Sequence, residues 1–249
     1  MAKQIKYGLI GKNISYSFSK SYFSKKFDRL KLDNCFYENF DLSSLDELPL
    51  ILNENIEVIK GLNVTIPYKQ EIFKYLDEVD KDAEQIGAVN TIKILDNLRL
   101  KGFNTDVYGF ENSLKPILKE YMKHALILGT GGASKAVAFV LNNLNIDFKF
   151  VSRNPKNKDT ISYRSIDQSI LEKHTLVINC TPLGTFPEIE KSPDLPYHKL
   201  THKHLLFDLI YNPGLSSFLK KGSEYGAIIK NGQEMLELQA DRSWEIWNS

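Results

Sequence analysis

His124-Ala125-Leu126-Ile127-Leu128-Gly129-Thr130-Gly131-Gly132-Ala133-Ser134 is the stretch that decides the fold of this chain. A short apolar run enters a glycine-rich turn, and the turn opens a helical pattern that runs through Leu144. A second apolar run follows at 148–151. Strand, crossover helix and strand make a βαβ unit, the connection that parallel strands require. Glycines let the backbone turn tightly and approach a pyrophosphate, whose charge would lie at the helix N-terminus. The order is G-x-G-G-A, with Ser134 where a dinucleotide fingerprint has its third glycine. A plain tight turn would read the same way taken alone.

The next residues are Val151-Ser152-Arg153-Asn154-Pro155-Lys156. An NAD site places Asp or Glu about 20 residues after the glycines, to hold the ribose 2′-hydroxyl. No acid stands there. Arg153 and Lys156 offer positive charge instead, either to the 2′-phosphate of NADP or as a solvated basic loop.

Working outward, further short strands are expected at 176–179, 205–209 and 227–229, with helices at 216–221 and 234–247. Pro182, Pro187, Pro193 and Pro196 make 182–196 an irregular, exposed loop. Toward the N-terminus, strands are expected at 5–10, 35–40 and 58–64. Helices are expected at 19–32, at 45–52 around Pro49, and from Pro67 at a first helical turn. Residues 92–95 and 98–103 read as a hairpin around Asp96-Asn97. Residues 106–121 read as a helix that Pro116 kinks. The fold class is therefore α/β in two domains, with a boundary near 104–122. We expect 1–104 to be joined by the C-terminal helix at 233–249, and 105–232 to form a Rossmann-like domain with a parallel sheet.

Composition excludes several other classes. Of 249 residues, 32 are Lys or Arg and 31 Asp or Glu, giving a net charge of +1 and arguing against capture of nucleic acid. Hydrophobic residues at 42% and charged residues at 25% are globular proportions. No apolar run reaches the roughly 18 residues of a membrane span. The first residues enter a strand pattern too quickly for a secretory signal. Cys35 and Cys180 are the two cysteines and lie far apart in sequence, so neither a disulfide scaffold nor a cysteine-based metal site is expected, and a reducing cytoplasm fits. His198, His202 and His204 read as surface histidines, so no metal is expected. Trp244 and Trp247 read as anchors of the last helix.

Three further stretches carry chemistry-bearing groups. Asn63-Val64-Thr65-Ile66-Pro67-Tyr68-Lys69 runs from a strand end, and its lysine is either aimed into a cleft or a surface charge. Gly102-Phe103-Asn104-Thr105-Asp106 brings a carboxylate to a helix start, as a reactive group or as an N-cap. Gly87-Ala88-Val89-Asn90-Thr91 ends in polar residues that line the same cleft or cap a turn.

Together these stretches resemble the shikimate dehydrogenase family. The resemblance rests on residues 11–19, 63–69, 87–91, 104–106 and 129–133, on Asn179-Cys180-Thr181-Pro182-Leu183-Gly184, on Asp208-Leu209-Ile210-Tyr211-Asn212-Pro213, and on Gly232 through Gln239. They occur in the family's order and cover nearly the whole chain. The resemblance implies reduction of 3-dehydroshikimate with NADPH, a substrate domain and an NADP domain, and a monomer or homodimer with no nucleic-acid or membrane partner. It implies that Ser17 and Ser19, with Tyr211, hold the substrate carboxylate, and that Thr65, Asn90 and Gln239 contact ring hydroxyls. Lys69 and Asp106 match the catalytic pair, which also touches substrate. Gly129, Gly131, Gly132 and Ala133 match the pyrophosphate loop. Ser152, Arg153 and Asn154 stand where the adenosine phosphate is read, and Gly232 where the chain approaches the nicotinamide.

The chain departs from the family at several positions. The family usually has Pro and His where this chain has Asn13 and Tyr16, Pro in place of Lys20, and often Thr in place of Asn154. The rival readings are a quinate/shikimate dehydrogenase or paralogue acting on a related hydroxy acid, and a catalytically silent binding module. The presence of both Lys69 and Asp106 speaks against the silent module.

Overall fold

The computed structural model describes residues 3–15, 17–155 and 158–249. The chain divides into two units, Met1–Thr105 with Gln239–Ser249, and Asp106–Leu238.

The first unit contains β1 (Ile5–Gly11), α1 (Phe18–Leu30), β2 (Cys35–Asp41), α2 (Leu48–Glu54), β3 (Ile59–Val64), β4 (Glu78–Val79), α3 (Lys81–Ile86), β5 (Thr91–Ile94) and β6 (Leu100–Phe103). Its sheet has the order β2-β1-β3-β5-β6-β4. β1 is parallel to β2 and β3, while β5 is antiparallel to β3 and β6. Side chains of a strand alternate between faces, and β1 shows the result. Tyr7 and Leu9 enter a core with Phe23, Phe27, Tyr37, Ala240 and Trp247, whereas Ile10 enters the opposite one with Leu62, Val64, Ile72 and Ile92.

The second unit contains α4 (Asp106–Leu114), β7 (His124–Leu128), α5 (Gly132–Asn143), β8 (Asp147–Ser152), β9 (Thr160–Ser162), α6 (Gln168–Lys173), β10 (Leu176–Asn179), β11 (Leu205–Asp208), α7 (Ser217–Glu224) and β12 (Ile228–Lys230). Its strands are all parallel, in the order β12-β11-β10-β7-β8-β9. β7, β10 and β11 are buried along nearly their whole length, which is why they read as uninterrupted apolar runs. The last helix, α8 (Gln233–Trp247), crosses the division between the units. Its residues from Gln239 onward belong to the first unit. Trp247 stacks on Tyr7 with ring centroids 4.8 Å apart, and its Nε1–H donates to the Ile92 carbonyl at 3.0 Å. A Cβ on Gly61 would lie 2.2 Å from that indole, so only glycine fits there.

Several local expectations are corrected. No helix begins at Pro67; Tyr68 N–H closes a turn on the Thr65 carbonyl at 2.9 Å, and a 3-10 segment follows at Glu71–Tyr75. The helix that starts at Asp106 stops at Leu114 instead of bending at Pro116, which lies in a separate 3-10 turn. Proline has no N–H to continue the ladder. Residues 96–98 form a 3-10 turn, so the hairpin loop is longer than a two-residue turn. Of the three histidines, His198 and His202 are exposed but His204 is buried. Its Nδ1 accepts the Thr201 N–H at 3.0 Å, so the proton sits on Nε2, which donates to the Leu171 carbonyl at 3.0 Å. Among the described residues, no group of His, Cys, Asp and Glu could hold a metal ion and no helix is long and apolar enough to cross a membrane.

Candidate active site

In the first unit, three of the expected substrate residues, Thr65, Lys69 and Asn90, stand on segments stitched together at the sheet's strand ends. Thr65 N–H donates to the Ile10 carbonyl at 2.8 Å, and the Lys69 carbonyl accepts Val89 N–H at 2.8 Å. Asn90 N–H donates to the Phe103 carbonyl at 3.0 Å. The Lys69 segment is thereby tied to the strand end that carries Asn90. Gly11 is needed where β1 passes Thr65, because a Cβ there would come within 2.5 Å of the Thr65 methyl.

Asn90 and Gln239 are buried and lie against each other, with Asn90 Nδ2 at 3.4 Å from Gln239 Oε1. Asn90 Oδ1 accepts Thr105 N–H at 2.7 Å, which fixes which way its amide points. Behind them lies a polar network that sequence reasoning missed. Tyr37 donates to Asn63 Oδ1 at 2.8 Å, and Asn63 Nδ2 donates to Ser243 Oγ at 2.9 Å and to Thr91 Oγ1 at 3.2 Å. Ser243 Oγ donates to the Gln239 carbonyl at 2.9 Å. Burial pushes the Tyr37 phenol well up, against a hydrogen bond with Ser19, so it stays protonated and remains a donor. A signal was present: Asn63 and Thr105 sit inside the quoted stretches, and Ser243 is one helical turn beyond Gln239.

Ser17 is the N-cap of α1, and its Oγ accepts Ser19 N–H at 3.2 Å. A hydroxyl accepts and donates at once, so capping leaves its hydrogen for an anion. Tyr16 lies outside the described residues.

In the second unit, Asp106 is the first residue of α4 and is buried, so it is a member of the helix rather than the cap ahead of it. A carboxylate in a first turn is favoured by the helix dipole. Tyr211 is half-buried in the segment after β11. Gly129 has φ +103, a left-handed conformation that favours glycine. Gly131 is the N-cap of α5 with no side-chain hydrogen bond, and a Cβ built on it would meet nothing within 4 Å. Together with Gly132 and Ala133, which open α5, it leaves the first N–H groups of the helix without a side-chain cap, the arrangement that a pyrophosphate-binding helix start needs. Ser134, fully buried, donates to the Gly131 carbonyl at 2.6 Å and so takes the close-packing place of a third glycine.

At the end of β8, Arg153 and Asn154 are exposed and Ser152 Oγ accepts Asn154 N–H at 3.3 Å. The donors and the absence of an acid from 152 to 158 suit a phosphate. Lys156 lies outside the described residues. Gly232 has a packing reason of its own: a Cβ would come within 2.2 Å of the Leu209 carbonyl oxygen. Nearby, Asp208 is fully buried, with donors from Asn179 Nδ2 at 3.0 Å, Ile210 N–H at 3.1 Å and Ser216 Oγ. Burial outweighs those bonds and pushes its carboxyl up to about 6. Burial also pushes the Cys180 thiol far up, away from the nucleophilic thiolate.

Comparison with known proteins agrees across both units. Residues 9–92 match the family described as the shikimate dehydrogenase substrate binding domain. Over 254 residues the chain is 39% identical to a shikimate dehydrogenase (NADP(+)) of Methanococcus maripaludis, covering 96% of this chain and 90% of that one. A chorismate mutase/shikimate 5-dehydrogenase fusion protein from Clostridium acetobutylicum superposes with a TM-score of 0.88 at 36% identity, covering 99% of this chain and 92% of that one. Shikimate 5-dehydrogenase from Thermus thermophilus, in complex with NADP(H) and shikimate, does so with a TM-score of 0.86 at 29% identity, covering 98% and 93%.

Proposed function

The chain belongs to the shikimate dehydrogenase family, and from that premise we propose how its own residues carry out the reaction. The protein is an NADP-dependent oxidoreductase that reversibly reduces 3-dehydroshikimate to shikimate, a step of chorismate and aromatic amino-acid biosynthesis. The observation that carries this reading is the likeness to shikimate dehydrogenases (NADP(+)) along nearly the full chain.

NADPH, when bound, supplies the hydride that reduces the substrate ketone. The rest of the work falls to the chain. Lys69 meets the negative charge that builds on the ketone oxygen and delivers a proton to it. Asp106 accepts a hydrogen bond from a ring hydroxyl of the substrate. Ser17 and Ser19, with Tyr211, donate to the substrate carboxylate. Thr65, Asn90 and Gln239 hold ring hydroxyls, and the network through Asn63 and Ser243 supports the two amides as a fixed platform.

The N–H groups around Gly129, Gly131, Gly132 and Ala133 bind the pyrophosphate, and Gly232 lies on the nicotinamide side. Ser152, Arg153, Asn154 and Lys156 bind the 2′-phosphate, with the planar guanidinium of Arg153 as the main contact. Residues 1–104 with the last helix thus form the substrate domain, and 105–232 the NADP domain. We place the enzyme in the cytoplasm as a monomer or homodimer.

The test is direct. Purified protein should consume NADPH with 3-dehydroshikimate and form it from NADP+ with shikimate. Turnover of quinate at a comparable rate would broaden the substrate class, and no turnover with any of these would overturn the reading.

A further inference from the structure

The loop that leaves β1 and enters α1 carries no proline, and its Asn13 lies in the left-handed region at φ 56. It is nonetheless held from both sides. Asp41, at the end of β2, accepts Asn13 N–H on Oδ1 at 2.7 Å and Ile14 N–H on Oδ2 at 3.2 Å. Asn39 Nδ2 donates to the Ile14 carbonyl at 3.1 Å, and Ser17 N–H donates to that same carbonyl at 3.0 Å. On the other side Lys12 N–H reaches the Ile66 carbonyl at 3.3 Å.

A proline at position 13 could do neither thing seen here, since its φ is fixed near −65° and it has no N–H. The restraint that the family usually takes from a ring comes in this chain from a carboxylate, whose bonds to N–H groups are charge-assisted. We propose that Asp41 is a positioning residue for the substrate carboxylate: it holds Asn13 and Ile14, and through them the hydroxyls of Ser17 and Ser19, without touching substrate. The proposal rests on the reading of those two serines as the carboxylate contacts.

The sign of the effect separates positioning from simple electrostatics. Asp41 is an anion beside a loop that binds an anion, so removing its charge alone would tighten substrate binding. Removing a clamp loosens the hydroxyls and weakens it, because an unordered loop must be ordered on binding.

The experiment measures kcat and KM for shikimate in Asp41→Ala, Asp41→Asn, Ser17→Ala, Ser19→Ala and the double variant Asp41→Ala/Ser17→Ala. Asp41→Ala should raise KM for shikimate about ten-fold with kcat within about three-fold and KM for NADP+ unchanged. Asp41→Asn, which keeps one acceptor oxygen, should lie between it and wild type, and it carries the comparison if the alanine variant does not fold. In the Ser17→Ala background Asp41→Ala should add clearly less than its effect on wild type, with Ser19 alone left to position, because residues acting through one another are not additive. An unchanged or lowered KM, a fully additive effect, or a parallel rise in KM for NADP+ would overturn the proposal. If Ser17→Ala and Ser19→Ala both leave KM unchanged while Asp41→Ala raises it, the reading of the serines fails first and the proposal goes with it.

Discussion

Asn90 shows how much a single side chain's task depends on its neighbours. Its Oδ1 is committed to Thr105 N–H, so its Nδ2 is the end that can serve a hydroxyl or Gln239. Lys69 is the proposed proton donor. Lys69→Ala should lower kcat by roughly 10²–10⁴ with a modest change in KM, because the lost interaction is made mainly as charge develops. A kcat within a few-fold of wild type in a folded variant would make Lys69 a structural residue. In the proposed site Arg153 sets cofactor choice. NADP should be preferred over NAD by roughly two decades if two phosphate contacts contribute about 1.5 kcal/mol each. Arg153→Ala should erase much of that preference, leave NAD kinetics nearly untouched, and reduce the dependence on salt. Equal kcat/KM for the two cofactors in wild type would show the loop at 152–156 to be only solvated.

At the scale of elements, β10, β11 and α7 meet at Asp208. Asn179 of β10 donates to it, and Ser216, which caps α7, donates as well. Its carboxyl titrates near 6, above the ordinary 3.8, so the folded state binds the proton more tightly than the unfolded chain does. The resulting stability is fully present below about pH 4 and is lost as pH rises through about 6. Denaturant titrations should therefore find a contribution about 1 kcal/mol more favourable at pH 5 than at pH 7 from this group. Asp208→Asn should flatten that slope, and an unchanged slope would mean that another group sets it. The short elements explain what was hard to read. α3 has only six residues, with Ala83 and Ile86 buried, too few for a helical period to emerge. Its boundaries are local all the same: Asp80 caps the start through Asp82 N–H, and Gly87 ends it in the left-handed conformation at φ 67.

At the scale of the whole molecule, both tryptophans lie in the aromatic core of the first unit, whereas the residues proposed to bind the dinucleotide lie in the second. The two units can therefore be watched separately. NADP+ at about 100 times its Kd should stabilise the unit that binds it by about 2.7 kcal/mol. We expect the urea transition seen by circular dichroism to move while the one seen by tryptophan fluorescence stays in place. Equal shifts by both probes would show that the chain unfolds as one cooperative body.

The sequence alone determined those features that depend on neighbours along the chain. The βαβ unit at 124–151, the buried parallel strands and the acid-free end of β8 are written in runs of a few residues, since periodicity, glycine turns and charge are local properties. Membership of the family was legible for the same reason. Tertiary structure alone decided what depends on residues far apart. Asp41 meets Asn13 across 28 positions and Asn63 meets Ser243 across 180. Nothing in either segment announces its partner, because a hydrogen bond specifies only distance and direction in space. The fate of Pro67 belongs to the same group: a proline fits both a helix start and a turn, and only the Thr65–Tyr68 contact selects the turn.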